Sequence, residues 1–288
     1  MNTISLNNLV KELTGSVISA RSPLGGGSVA SVFQIVLDSG RALVVKHSTD
    51  GDTKGGLEIE ANMLRHFAQH SPITCPDVLY ADPDCLIMDF IANDNRMGNA
   101  VQRDLAEQLA AQHNVTADAY GLNFDTLIGG LHQPNNQTSS WVTFFGEHRL
   151  RHMAHAGLRD GKLSPSMTRR IDHLIDRLGD LIGDTPNASL LHGDLWGGNI
   201  LCQDGKLAAL IDPALYYGDH EIELAFGTLF GDLTPDFFSR YREIIPIAPG
   251  FFEERRYLYN LYPLLVHVRL FGRSYIGSVD QILSRFGH

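Results

Sequence analysis

The run Leu191 to Asp212, LHGDLWGGNILCQDGKLAALID, decides how this chain is read. Asp204-Gly205 at its centre is the strongest two-residue hairpin signal, because both residues tolerate the positive φ that such a turn demands. Apolar runs flank it, Ile200 to Cys202 before and Leu207 to Ile211 after. With 204 and 205 as the turn, 203 pairs with 206 and 199 falls opposite 210, so Asn199 and Asp212 arrive at the same open end. An amide and a carboxylate converging there suit Mg²⁺, which takes hard oxygen ligands and fills its shell from the phosphates of a bound nucleotide. Asp194, in the loop that feeds the hairpin, is then a candidate base.

The spacing of Asp194, Asn199 and Asp212 is that of a protein-kinase-like catalytic loop, HxDxxxxN, followed by a metal-binding Asp beyond a hairpin. Three further parts are required upstream. Gly25-Gly26-Gly27-Ser28 offers backbone amides that phosphates can approach closely, since no Cβ intervenes. It precedes Val29 to Leu37, an apolar, β-branched run that turns through Asp38, Ser39 and Gly40 into Ala42 to Lys46. Lys46 ends that second strand, where a kinase lysine contacts the α and β phosphates of ATP. In the helix that follows, Leu57, Ala61, Met63, Leu64, Phe67 and Ala68 share one arc, with Glu60 inside it and Glu58 outside. A carboxylate on a core-facing stripe needs a cationic partner, and Lys46 is the one available.

The fold class expected is α+β, two-lobed and protein-kinase-like. Residues 1–91 read as a nucleotide-binding lobe, an antiparallel sheet with one main helix, and Leu86 to Ile91 reads as the strand leading out of it. Residues 92–288 read as a mainly helical catalytic and substrate-binding lobe interrupted once, by the catalytic hairpin. Met167, Ile171, Leu174, Ile175, Leu178 and Ile182 form one helical stripe there, with Ser164 as N-cap, Pro165 at the first helical position and Thr185-Pro186 after its end.

Bulk properties exclude several classes. A net charge of −10 argues against a nucleic-acid partner, whose phosphates are bound by clustered Lys and Arg. With 43% hydrophobic residues the chain can bury a sizeable core, yet no segment approaches eighteen consecutive apolar residues, so no membrane span is expected. The first 17 residues lack the pattern of a signal peptide, which makes the cytoplasm the expected compartment. Three cysteines form no CxxC pair and are expected to be buried and reduced. The 13 histidines show no HExxH or related ligand spacing and are expected to be surface or packing residues.

HGDLWGGNI and IDPALYYGDHEIELA, together with TLIGGLHQPN (126–135), WVTFFGEHRL (141–150) and the GGGS loop, resemble the fructosamine kinases, also called ketosamine 3-kinases. The resemblance runs from about Gly25 to Tyr241. It implies ATP and Mg²⁺ as cofactors and phosphorylation of the 3-hydroxyl of a ketoamine, a fructosamine or ribulosamine that is free or protein-linked. The ester destabilises the sugar and frees the amine, which is deglycation. The resemblance implies Asp194 as the proton acceptor, Asn199 and Asp212 as metal ligands and Lys46 with Glu60 as a phosphate clamp. It also makes Met88, Asp89, Phe90 and Ile91 the nucleotide-binding hinge. Trp196, beside the base, is read either as a stacking surface for the sugar or its amine substituent or as packing. Glu223 is read as holding the catalytic-loop backbone, and Trp141, Phe144 and Phe145 as core. The metal motif is Asp212-Pro213-Ala214 instead of Asp-Phe-Gly, and Ser28 stands where some relatives carry cysteine, so no thiol switch is expected.

An aspartate of ordinary pKa, about 3.9, is a weak base, so positioning is expected to dominate over basicity. Two other readings share the motif: an aminoglycoside or choline kinase-like enzyme, and a pseudokinase that binds nucleotide without transfer. Oligomeric state is not legible.

Overall fold

The computed structural model describes residues 3–25, 30–48, 55–183 and 187–287. Helix α1 (Thr3–Thr14) leads into strands β1 (Ile18–Pro23), β2 (Ala30–Leu37) and β3 (Ala42–Ser48), then helix α2 (Gly56–His70) and strands β4 (Val78–Asp82) and β5 (Cys85–Asp89). The strands form one antiparallel sheet in the order β1-β2-β3-β5-β4. Period-two alternation gives the sheet two apolar faces. Phe33, Ile35, Leu37, Leu43, Val45, Cys85 and Ile87 pack with Leu6 and Val10 of α1. Val44, Leu86 and Met88 instead join a cluster with Leu57, Ala61, Leu64 and Phe67 of α2. The sequence reading expected one main helix in this part, and α1 is a second, which covers that face of the sheet with Leu6 and Val10.

The rest of the chain continues with α3 (Asn99–His113), β6 (Thr116–Ala117), β7 (Thr126–Ile128), β8 (Leu131–Gln133) and α4 (Trp141–Phe144). A π-helical stretch, Phe145–Arg151, joins α4 to α5 (His152–Arg159), followed by α6 (Pro165–Ile175), α7 (Leu178–Ile182) and β9 (Ala188–Leu191). Strands β10 (Ile200–Gln203) and β11 (Lys206–Leu210) form the hairpin, and β12 (Tyr216–Gly218) precedes α8 (His220–Leu229), α9 (Pro235–Ile244), α10 (Arg256–Phe271) and α11 (Ile276–Arg285).

Two expectations need correction here. The helical part is interrupted more than once: β7 and β8 pair, and β12, β9 and β6 form a small sheet. Strands of two to four residues are too short for alternation to reveal. The single helix expected over Met167 to Ile182 is two, broken at Asp176 and Arg177, where Arg177 N–H bonds Leu174 O at 3.0 Å and tightens the last turn. The break re-aims Leu178 toward Gly146, where an added Cβ would come within 3.3 Å of Leu178. Ser164 caps α6 as expected, accepting from Met167 N–H at 3.2 Å with Pro165 at the start. Thr185-Pro186 lies outside the described residues.

One apolar cluster extends from Val44 in the sheet to Leu283 in α11, with Trp141, Phe144 and Phe145 fully buried at its centre. Cys75, Cys85 and Cys202 are all buried and unpaired, and burial pushes the thiols of Cys75 and Cys85 up to about 11. No helix among the described residues is long and apolar enough to cross a membrane.

Candidate active site

The hairpin turn is where the sequence puts it, with Asp204 at φ 52° and Gly205 at φ 79° and Gln203 opposite Lys206. The register beyond it is not the ideal one. A bulge moves Leu201 opposite Ala209 and Ile200 opposite Leu210, so Asn199 meets Ile211 instead of Leu210. Ile211 N–H bonds Asn199 O at 3.1 Å, and the chain then enters Asp212 at φ 54°. Asn199 turns its Nδ2 to Asp194, donating to the main-chain O at 2.9 Å and to Oδ2 at 3.1 Å. Asn199 is thus tied directly to Asp194, and through the neighbouring Ile211 to the strand that leads into Asp212.

Lys46 reaches the same place from β3. Its ammonium lies 2.7 Å from Glu60 and 2.6 Å from Asp212. Glu60 is the inward glutamate of α2, while Glu58 is exposed. Desolvation alone would lower the pKa of Lys46, but Asp212 and Glu60 outweigh it and hold the ammonium charged above its ordinary range. Burial raises the pKa of Glu60, and Lys46 only partly offsets that rise.

The loop around Asp194 is held from behind. Glu223 accepts from Gly193 N–H at 2.7 Å and from His113 Nε2 at 3.0 Å. Burial would raise its pKa, but these two donors keep it below the ordinary value. His192 donates Nε2–H to Ile211 O at 2.9 Å, and its burial lowers its pKa, so the ring is neutral. Asp194 keeps one edge open to the cleft, yet most of the carboxyl is packed among protein atoms. That desolvation pushes it up to about 7, against the pull of the Asn199 amide and with repulsion from Asp212 and Glu223. The ordinary carboxylate pKa expected from sequence is thus corrected for the ligand-free site.

Trp196 is 44% exposed beside Asp194, its ring lying over Gly198. The ring is therefore outside the apolar core, packed on Gly198 with its remaining surface exposed. Gly197 abuts Asp232, whose Oδ1 would be 2.6 Å from an added Cβ and whose Oδ2 is buried without a hydrogen-bond partner. At the expected hinge, Met88 is buried in β5, and the carboxylate of Asp89 is taken by Arg41 at 2.7 Å. Phe90 and Ile91 are half-buried, with Phe90 N–H bonded to Ala42 O. Gly25 is exposed, with open space where a Cβ would sit, and Gly26, Gly27 and Ser28 lie outside the described residues. A cavity of about 20 Å³ lined by Gly193, Glu223, Phe226 and Tyr262 sits behind the loop and has room for little more than a water molecule.

The residues fit a divalent cation held jointly with a nucleotide. Asn199 uses its Nδ2 on Asp194, which leaves its Oδ1 as a donor, and the Asp212 side chain is 40% exposed. Among the described residues no group of three or more His, Cys, Asp and Glu could hold a metal. Asn199 and Asp212 would thus supply part of an oxygen shell that phosphates and water complete.

The strings TLIGGLHQPN and WVTFFGEHRL build a buried polar cluster that the sequence does not announce. Gln133, Asn135 and Arg149 are fully buried around the backbone that follows Asp212. Gln133, Asn135 and Arg149 stand among other polar residues, Thr126, His132, Thr143, Glu147 and His148, so composition does not single them out.

The sequence model of the family described as fructosamine kinase matches residues 2–287. A probable ketoamine kinase of Escherichia coli is 31% identical over 288 residues, covering 98% of both chains. One from Lactiplantibacillus plantarum is 31% identical over 265 residues, covering 92% of this chain and 93% of its own. A crystal structure from the fructosamine-3-kinase group of Thermobifida fusca superposes with a TM-score of 0.89 at 31% identity, covering 98% of each chain. An aminoglycoside phosphotransferase superposes with a TM-score of 0.66 at 19% identity, which shows the shared kinase-like fold alone. The α+β, two-lobed architecture is that of the protein-kinase-like phosphotransferases, and the chain belongs to the fructosamine kinase family.

Proposed function

We propose that the protein transfers the γ-phosphoryl group of ATP to the 3-hydroxyl of a ketosamine, a ribulosamine or fructosamine on a small amine or a protein, and so promotes deglycation. The observation that carries the reading is the double contact of Lys46, 2.7 Å from Glu60 and 2.6 Å from Asp212, beside the Asp194–Asn199 pair. A lysine held between two carboxylates in this way has one direction left for an incoming phosphate. It neutralises charge on the nucleotide without a covalent intermediate.

In the proposed reaction Asp194 orients the acceptor hydroxyl and takes its proton as the phosphoryl group moves in line. Asn199 fixes the carboxylate of Asp194 through Nδ2, and Trp196 offers a flat apolar face to the sugar or its amine substituent. Asn199 and Asp212 would hold a divalent cation, Mg²⁺ in this reading, which would supply charge neutralisation to the nucleotide phosphates. Glu223 and His192 keep the loop rigid and take no part in the proton transfer.

The test is a side-by-side assay of ATP consumption with a ribulosamine, a fructosamine, choline and an aminoglycoside. Phosphorylation of a ketosamine followed by release of its free amine is the expected result. Transfer to choline or the aminoglycoside alone, or to none of the four, would sink the proposal.

A further inference from the structure

The polypeptide just after Asp212 is held on both sides. Ala214 N–H bonds His192 O at 2.8 Å, in the loop that carries Asp194. Gly193, at φ 83°, presses so close that an added Cβ would sit 2.1 Å from Ala214 O. From the other side Gln133 Nε2 donates to that same Ala214 O at 3.0 Å, and Thr126 Oγ1 donates to Leu215 O at 3.2 Å. Asn135 Nδ2 donates to Thr126 Oγ1 at 2.8 Å and reaches Leu215 O at 3.5 Å.

This small network has its own support. Tyr262 OH donates to Gln133 Oε1, and Arg149 donates to Asn135 Oδ1 at 2.7 Å and to Pro134 O at 2.8 Å. The guanidinium lies 4.0 Å from the ring centre of Tyr216 and 4.5 Å from that of Phe144. Arg149 is fully buried and has no carboxylate partner among the described residues. A buried cation is costly unless it is satisfied, and here carbonyl oxygens take the two terminal nitrogens and aromatic faces flank the plane in place of an ion pair, while Nε is buried without a hydrogen-bond partner. Such a charge holds the carbonyls of the TLIGGLHQPN segment in one arrangement, which in turn aims Gln133 and Asn135 at the turn after Asp212.

We infer that Gln133, Asn135 and Arg149 are positioning residues that set the Asp212 turn against the Asp194 loop. The inference rests on the reading of Asn199 and Asp212 as cation ligands. None of the three residues touches the nucleotide or acceptor in this account. They act as outer supports act at metal sites, where loss of a support typically lowers metal affinity or activity 10–100-fold.

Mn²⁺·ADP binding measured by calorimetry tests this, with kcat and the two KM values measured alongside. Gln133→Met keeps the volume and removes the donor to Ala214. It should weaken Mn²⁺·ADP binding by roughly tenfold or more and lower kcat, with the acceptor KM little changed. Ile171→Val, an equally buried change in α6, is the structural control: it lowers the melting temperature and leaves binding and kcat alone. If Gln133→Met does not fold, Tyr262→Phe, which removes only the hydroxyl that orients Gln133, decides the matter by a change in the same direction. A folded variant that keeps Mn²⁺·ADP affinity and kcat within about twofold of the parent overturns the inference. A parent that binds no Mn²⁺·ADP sinks both the inference and the reading beneath it, while an active parent matched by its variants sinks the inference alone.

Discussion

Asp194 carries two burdens that pull in opposite directions. Its packing pushes the folded-state pKa up to about 7 from an ordinary 3.8. A raised carboxyl pKa means the ligand-free protein loses stability as pH climbs from about 4 to 7, because the folded state resists the charge that the unfolded state accepts. Without nucleotide or divalent cation, Asp194→Asn should therefore be more stable than the parent at pH 8, by up to about 4 kcal/mol. That gain should fade toward pH 4, as thermal melts across the range would show. The same variant should bind ATP nearly normally and turn over several orders of magnitude more slowly; near-normal turnover would refute the role of Asp194. Gly198 gives an independent check on Trp196. A Cβ there would fall 2.2 Å from the indole, which is exposed and free to swing away. Gly198→Ala should leave the melting temperature almost unchanged and raise the acceptor KM several-fold without affecting that for ATP. A KM for acceptor equal to the parent's would remove Trp196 from the binding face.

At the level of elements, local chemistry reads well and long-range pairing does not. Asp204-Gly205 announces its turn, and Glu60 betrays its direction by sharing an arc with Leu57 and Phe67. Ser164-Pro165 marks the start of α6, and Ser164→Ala should cost about 1 kcal/mol of stability by equilibrium denaturation, with kcat unaltered. The bulge in β10-β11 has no such signature: nothing in ILCQDGKLAAL distinguishes Ala208 as the residue left out of the ladder. The break between α6 and α7 hides for a similar reason, since the apolar stripe continues across it and only packing of Leu178 shows the change of direction. Gln133, Asn135 and Arg149 bond to main-chain atoms of distant residues, contacts that leave no period behind.

For the molecule as a whole, the main apolar cluster joins the inner face of the sheet to the helices, so both parts of the chain share one core. Ligand binding at Lys46 and Asp212 should be felt throughout. Mg²⁺·ADP at a hundredfold excess over its Kd should add about 3 kcal/mol to stability. Calorimetric melting of the parent should show the upward shift, and Asp212→Asn should abolish most of it. A shift as large in the variant would mean the cation is held elsewhere.

The three thiols carry a practical meaning for the enzyme's life. Cys75, Cys85 and Cys202 are sealed in the interior, and burial lifts the first two to about 11. Thiolate is the reactive form, so peroxide and thiol-directed alkylating agents meet no cysteine thiolate on the folded surface. Iodoacetamide should label the native protein at none of these positions and the guanidinium-unfolded chain at all three. Catalysis should then proceed at the same rate with or without a reducing agent.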